Sequence, residues 1–282
     1  MKPFRKLALA AMTALGLSGL ALGAAKPVLA QDTQQALSSE SVIETIKKRG
    51  VLKVGMSTFV PWAMRDKDGN LVGFEIDVAT QLAADMGVEI EFVPTAWDGI
   101  IPALIAGKFD VIIGGMSITP QRNLTVNFTA PYAHSSVGVM AHIAESEGKT
   151  WPDDFNATDV TFSCRRGATP CEYIKAHFPK ATLRLFDDQA QVVQEVLNGN
   201  ATVMLSSQPL PAFTIYENPD VVFAPTDVMI DPSSESFAVR KGDPDALNFF
   251  NNWILVRTQD GWLEERHDYW FGGRPWADLV AE

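Results

Sequence analysis

The chain has 282 residues, 23 basic and 34 acidic, giving a formal net charge of −11, and 46% of it is hydrophobic. That acidic excess argues against nucleic acid or anionic lipid as a partner. Two cysteines and four histidines, none in ligand spacing, lead to the expectation of no metal and no cofactor.

The first thirty residues read apart from the rest. Lys2, Arg5 and Lys6 form a positive start, an Ala/Leu-rich run extends from about Leu7 to Ala25, and Val28-Leu29-Ala30 offers a small-x-small cleavage site. Residues 1–30 are therefore expected to be a secretory signal peptide, with a membrane anchor as the alternative. Losing that segment removes four cations and no anion and takes the net charge to −15. Residues 31–40 are polar, lack apolar periodicity and are expected to be flexible.

From Val42 the chain alternates helix and strand. Val42, Ile43 and Ile46 fall at helical spacing before the stop signal Arg49-Gly50, and Val51–Gly55 is a short strand. A turn over Asp66–Asn70 precedes an amphipathic helix, Phe74–Met86, and an alternating strand, Val88–Val93. Trp97–Ala106 reads as helix up to Gly107, followed by strand Val111–Ile113 and a helix after Pro120. The middle repeats the pattern: strand Asp159–Ser163, loop Arg166–Pro170, helix to about Phe178, strand Thr182–Phe186, helix Asp188–Leu197, strand Thr202–Leu205 and loop Ser206–Pro209. Phe237–Arg240 is a late strand, and two helices close the chain, Asp243 to about Arg257 and Gly261–Tyr269. Such alternation predicts an α/β fold with parallel sheet.

One stretch carries chemistry. Gly114-Gly115-Met116-Ser117-Ile118-Thr119-Pro120-Gln121-Arg122 leaves an apolar strand and opens a helix that Thr119 is placed to cap and Pro120 to start. Glycines let a ligand approach bare backbone, a helix start attracts anions, and Arg122 offers a bidentate grip on a carboxylate. None of these residues is a nucleophile or a metal ligand, so the stretch points to capture of a small carboxylate. Thr169-Pro170 echoes Thr119-Pro120, which predicts a second helix start at the carboxyl end of a strand, facing the first across a cleft. Cys164 and Cys171 flank that second loop; a disulfide is expected for an exported chain, with two buried thiols as the alternative.

The sequence resembles the periplasmic solute-binding proteins of the polar amino-acid class, receptors of ABC importers. The likeness runs from about Gly50 to Gly272, through Gly50–Gly55, Gly73-Phe74-Glu75-Ile76-Asp77, Gly107-Lys108-Phe109-Asp110, Met116–Thr119 with Arg122, Phe128–Tyr132 and Ala238–Asp243. It implies the two-lobe type II fold: one lobe from residues 41–139 plus 236–282, a second from 140–235, and hinge strands near Gly138–Met140 and Ser234–Ser236. It also implies a periplasmic location, a membrane ABC permease as partner and a monomer.

By the same resemblance Arg122 holds the ligand's α-carboxylate, with Gly115, Met116 and Ser117 contacting it from the first lobe and Thr169 from the second. Phe59 and Trp97 match the aromatic pair that sandwiches the ligand side chain, and Arg165 falls where some relatives place a ligand-contacting lysine. Trp62, Asp77 and Asp110 are expected to be structural. The family's usual aspartate for the ligand's α-ammonium is replaced by Ser207, which cannot neutralise a buried charge. Glu235 is a candidate substitute. Two further readings remain: a sensor module for a membrane receptor, and a periplasmic enzyme similar to the cyclohexadienyl dehydratases. The catalytic glutamate expected for that enzyme would fall at Cys171, one residue before Glu172.

Overall fold

Helix α1 (Val42–Arg49) begins where the Ser41 hydroxyl accepts the Ile43 N–H and ends at Gly50, whose φ of +73° suits a residue without a side chain. The structure is a computed structural model that describes residues 41–280, so the expected signal peptide and the segment 31–40 lie outside the described residues. Strand β1 (Val51–Met56) follows, then a two-stranded ribbon, β2 (Met64–Arg65) with β3 (Leu71–Val72), and helix α2 (Phe74–Met86). Next come β4 (Glu89–Pro94), a 3-10 turn at Trp97–Gly99 leading into α3 (Ile100–Ile105), β5 (Val111–Ile112) and α4 (Pro120–Asn123). Strand β6 (Asn127–His142) leads to β7 (Thr161–Arg165), α5 (Thr169–His177), β8 (Thr182–Phe186), α6 (Gln189–Leu197) and β9 (Val203–Ser207). The chain then forms α7 (Leu210–Glu217), β10 (Val222–Phe223), β11 (Ile230–Val239), α8 (Pro244–Gln259) and α9 (Trp262–His267).

The main sheet runs β4-β1-β5-β11-β6-β9-β7-β8, with β10 beside β6. It contains two parallel sets. One is β1 with β4 and β5, and the other is β7 with β8 and β9. The long antiparallel strands β6 and β11 join them. Residues Asn127–Val137 of β6 pair with β11, and Val137–Ala141 pair with β9. Central parallel strands are covered on both faces: Val54, Gly55 and Met56 of β1 are buried in succession, as are Phe162, Ser163, Cys164 and Arg165 of β7. The chain's start is tied down by Asp243, whose carboxylate accepts the Val42 N–H at 2.7 Å and the Ser41 hydroxyl at 3.0 Å while capping α8 through the Ala246 N–H at 2.9 Å.

Several elements differ from expectation. The helix read over Trp97–Ala106 opens as a 3-10 turn. Thr119 does cap α4, accepting the Arg122 N–H at 3.1 Å, but α4 is a single turn of four residues. So short a run of aligned peptides adds little dipole, and the anion-attracting role falls to Arg122 itself. The Thr169 echo is offset by one position: Ala168 is the N-cap residue of α5 and Thr169 its first helical residue, leaving the Thr169 hydroxyl free of capping. Strand β9 continues to Ser207, which was expected in the following loop.

Candidate functional site

The carboxyl ends of both parallel sets converge. Phe59 follows β1, Trp97 follows β4, Gly115 and Ser117 follow β5, and Arg122 lies on α4. From the other set come Arg165 and Thr169 around the end of β7, Gln189 after β8, and Ser206 and Ser207 at the end of β9. All of these residues line one cavity, together with Cys164, Ala168, Pro170 and Leu205. It is small, ≈ 20 Å³, room for about one water. Carboxyl ends of strands in open α/β sheets are where ligands bind.

The geometry is that of a closed cleft. Arg122 donates from Nη1 to the Ser117 carbonyl at 2.9 Å and from Nη2 to the Gly167 carbonyl at 3.0 Å, bridging its two sides. Gly167, at φ +77°, lies against the Asp98 backbone so closely that a Cβ would meet the Asp98 Cα at 3.1 Å. The guanidinium of Arg165 sits over the Phe59 ring at 5.0 Å and over the Trp97 ring at 4.6 Å, so the aromatic pair flanks a side chain of the protein itself. Burial pushes the pKa of Arg122 down to about 10. Arg165 is likewise pushed to about 10, by burial first and by repulsion from Arg122 second. Both stay protonated at neutral pH.

The disulfide expected from the sequence is present: Cys164 and Cys171 are bonded, with Cα atoms 5.7 Å apart. It encloses the segment that carries Arg165 and Thr169. A buried chain of hydrogen bonds sets the opposite wall. The Tyr132 hydroxyl donates to the Glu75 carboxyl at 2.6 and 2.7 Å and accepts the Gly115 N–H at 3.2 Å. Gly115 needs its freedom, since its φ is +65° and a Cβ would stand 3.1 Å from the Trp62 ring. Burial raises the Glu75 carboxyl to about 8, against the opposing Tyr132 bond, and raises the Tyr132 hydroxyl above its ordinary range.

Five residues stand apart from the cavity. Met116 is 1% exposed and its side chain packs with Ile100, Leu104 and Phe109 in the core, so it offers backbone at most. Trp62 is buried against Phe59, Phe74 and Phe271, as a structural residue should be. Glu235 is buried behind Ser117, where its carboxyl accepts from the Ser233 hydroxyl at 2.6 Å and the Ser117 hydroxyl at 3.4 Å; burial raises it to about 7. Asp110 receives the Lys53 N–H at 2.8 Å and pairs with Arg49, and Asp77 accepts the Trp270 indole N–H at 2.7 Å, both away from the cavity. Sequence reasoning missed Gln189 and Ser206. Gln189 follows the capping Asp188 at the carboxyl end of β8, a position that marks a ligand wall in this topology. Phe59 and Gln189 also line a neighbouring cavity of ≈ 650 Å³.

Two parallel strand sets joined by two long antiparallel strands, with a site at their facing carboxyl ends, define the α/β two-lobe type II class of binding proteins. The profile of the bacterial extracellular solute-binding proteins, family 3, matches residues 52–273, and the chain belongs to that family. It is 28% identical over 239 residues to the L-cystine-binding protein TcyJ of Escherichia coli (strain K12), covering 84% of this chain and 89% of the relative. It is 24% identical over 244 residues to the cyclohexadienyl dehydratase of Pseudomonas aeruginosa, covering 86% of this chain and 90% of that one. Among solved structures it is similar to the ancestral amino acid-binding protein AncCDT-1, a precursor of cyclohexadienyl dehydratase. That match has 38% identity and a TM-score of 0.74, over 82% of this chain and 99% of the other.

Proposed function

We propose that this protein is an exported, periplasmic receptor that captures a polar amino acid or related small carboxylate and delivers it to a membrane ABC permease, acting as a monomer. The observation that carries the reading is Arg122: a half-buried guanidinium in a cavity walled by both strand sets, next to Gly115, Ser117 and Thr169. A guanidinium fork matches a carboxylate in two parallel hydrogen bonds. In this reading residues 41–139 with 236–282 form one lobe and 140–235 the other. Strands β6 and β11 carry the hinges near 138–140 and 234–236. Opening the lobes breaks the Arg122–Gly167 bridge, and ligand replaces it. The cystine-binding relative supports an amino-acid ligand.

Capture without chemistry fits the cavity better than catalysis does. Among the described residues no carboxyl group lines it. Cys171, at the position expected for a dehydratase's acid, is tied up in the disulfide. Glu172 is exposed and pairs with Lys175 at 2.7 Å. The test is a thermal-shift panel of polar amino acids and matched acids lacking the amine, on protein refolded to strip carried-over ligand. A ligand at a hundred times its Kd adds about 2.7 kcal/mol, a shift of several degrees. A panel in which no small carboxylate moves the melting temperature would overturn the proposal.

A further inference from the structure

The cavity holds unused donors and, among the described residues, no carboxylate to answer them. Arg165 is 6% exposed, and its Nε and Nη1 have no hydrogen-bond partner among the described residues. Gln189 is 7% exposed with Nε2 equally unpartnered. Both line the cavity, as does Arg122, while no aspartate or glutamate does among the described residues. The acid with influence on Arg165 is Asp188, whose carboxylate is engaged in capping α6 through the Ala190 N–H at 2.7 Å and the Gln191 N–H at 3.3 Å. A buried guanidinium with donors left bare, repelled by the half-buried guanidinium of Arg122, is costly unless a ligand brings negative charge. Arg165 also already fills the slot between Phe59 and Trp97, so a second cation there meets like charge.

We infer that the captured solute carries two anionic groups, one held by Arg122 and the other by Arg165 with Gln189, and is therefore a small dicarboxylate for which an α-amine is dispensable and a cationic side chain is excluded. This rests on the receptor reading above and names its substrate class.

The test is calorimetric titration of refolded wild-type protein with charge-matched pairs, aspartate against asparagine and glutamate against glutamine. Succinate, glutarate and adipate serve as amine-free diacids, lysine and arginine as cations, and inorganic phosphate as a plain anion. The expected result is a dicarboxylate that binds at least about 30-fold tighter than its amide partner and than either cation, the scale of one charge-assisted contact. Arg165→Gln should collapse that gap to within about threefold, and Arg165→Lys should keep part of it. Variant melting curves show that each folds, and the wild-type panel decides the matter if one does not. Tightest binding of a neutral or cationic amino acid would overturn the inference and leave the receptor reading standing. Binding of phosphate as tightly as any dicarboxylate would also overturn it. If no carboxylate binds at millimolar concentration, the receptor reading falls and the inference with it.

Discussion

Raising the pH from 5 to 9 should weaken the ligand-free fold, because two carboxyl groups are buried without an ion-pair partner among the described residues. Glu75 and Glu235 are each 1% exposed. Burial is the main cause that lifts their pKa values, to about 8 and about 7, from the ordinary 4.5. A carboxyl whose folded pKa exceeds its unfolded one binds more protons in the folded state between the two values. Its contribution is therefore fully present below about pH 4.5 and is lost as the pH rises through 7 and 8. Each pKa unit is worth about 1.4 kcal/mol, so ionising Glu75 costs on the order of 5 kcal/mol, a large share of the roughly 5–15 kcal/mol that holds a domain together. Glu75→Gln keeps the side chain's size and removes its charge. Urea melts at each pH unit on wild type and Glu75→Gln, refolded and oxidised, measure the effect. The wild-type midpoint should fall from about pH 5 to about pH 8 and level off above that, and the variant should lose more than half of that fall. A flat wild-type profile from pH 6 to 9, or a variant with the wild-type slope, would refute the reasoning.

Other consequences are local. Reducing the Cys164–Cys171 bond frees the loop holding Arg165 and Thr169, which should weaken ligand affinity about tenfold; equal affinity with and without reductant would contradict this. Gly115→Ala places a methyl in a left-handed backbone against Trp62 and should cost about 1–3 kcal/mol in denaturant melts, with affinity falling as well. Asp243→Ala removes the cap of α8 and the acceptor for Ser41 and Val42, for a loss of about 2–3 kcal/mol in the same assay.

The strand–loop–helix pattern was legible because it rests on local signals: apolar runs, Thr-Pro starts and glycine stops. Those signals located Arg122, Ser117, Thr169 and the two cysteines, and the family resemblance added Phe59, Trp97, Arg165 and Ser207. Longer-range features were hidden. Strand β6 mixes Pro131, His134 and two serines with apolar residues because it changes partners from β11 to β9 along its length, so no single alternation describes it. Helix α7 follows Gln208-Pro209 and contains Pro211 in its first turn, which reads as loop until tertiary packing settles it. Glu75 has the look of an ordinary first-turn acid, and its burial under Tyr132 depends on a residue 57 positions away. That Arg165 fills the aromatic slot is likewise a matter of closure between chain segments far apart in sequence.

The central claim is that Arg122 clamps a ligand carboxylate inside the closed cleft. The most direct measurement is calorimetric titration of the tightest carboxylate from the panel into refolded wild type and Arg122→Gln, with melting curves to show that both fold. The account predicts a loss of about 100-fold or more in the variant, the scale of a buried bidentate contact to a charged group. Equal affinity in the two proteins would contradict it.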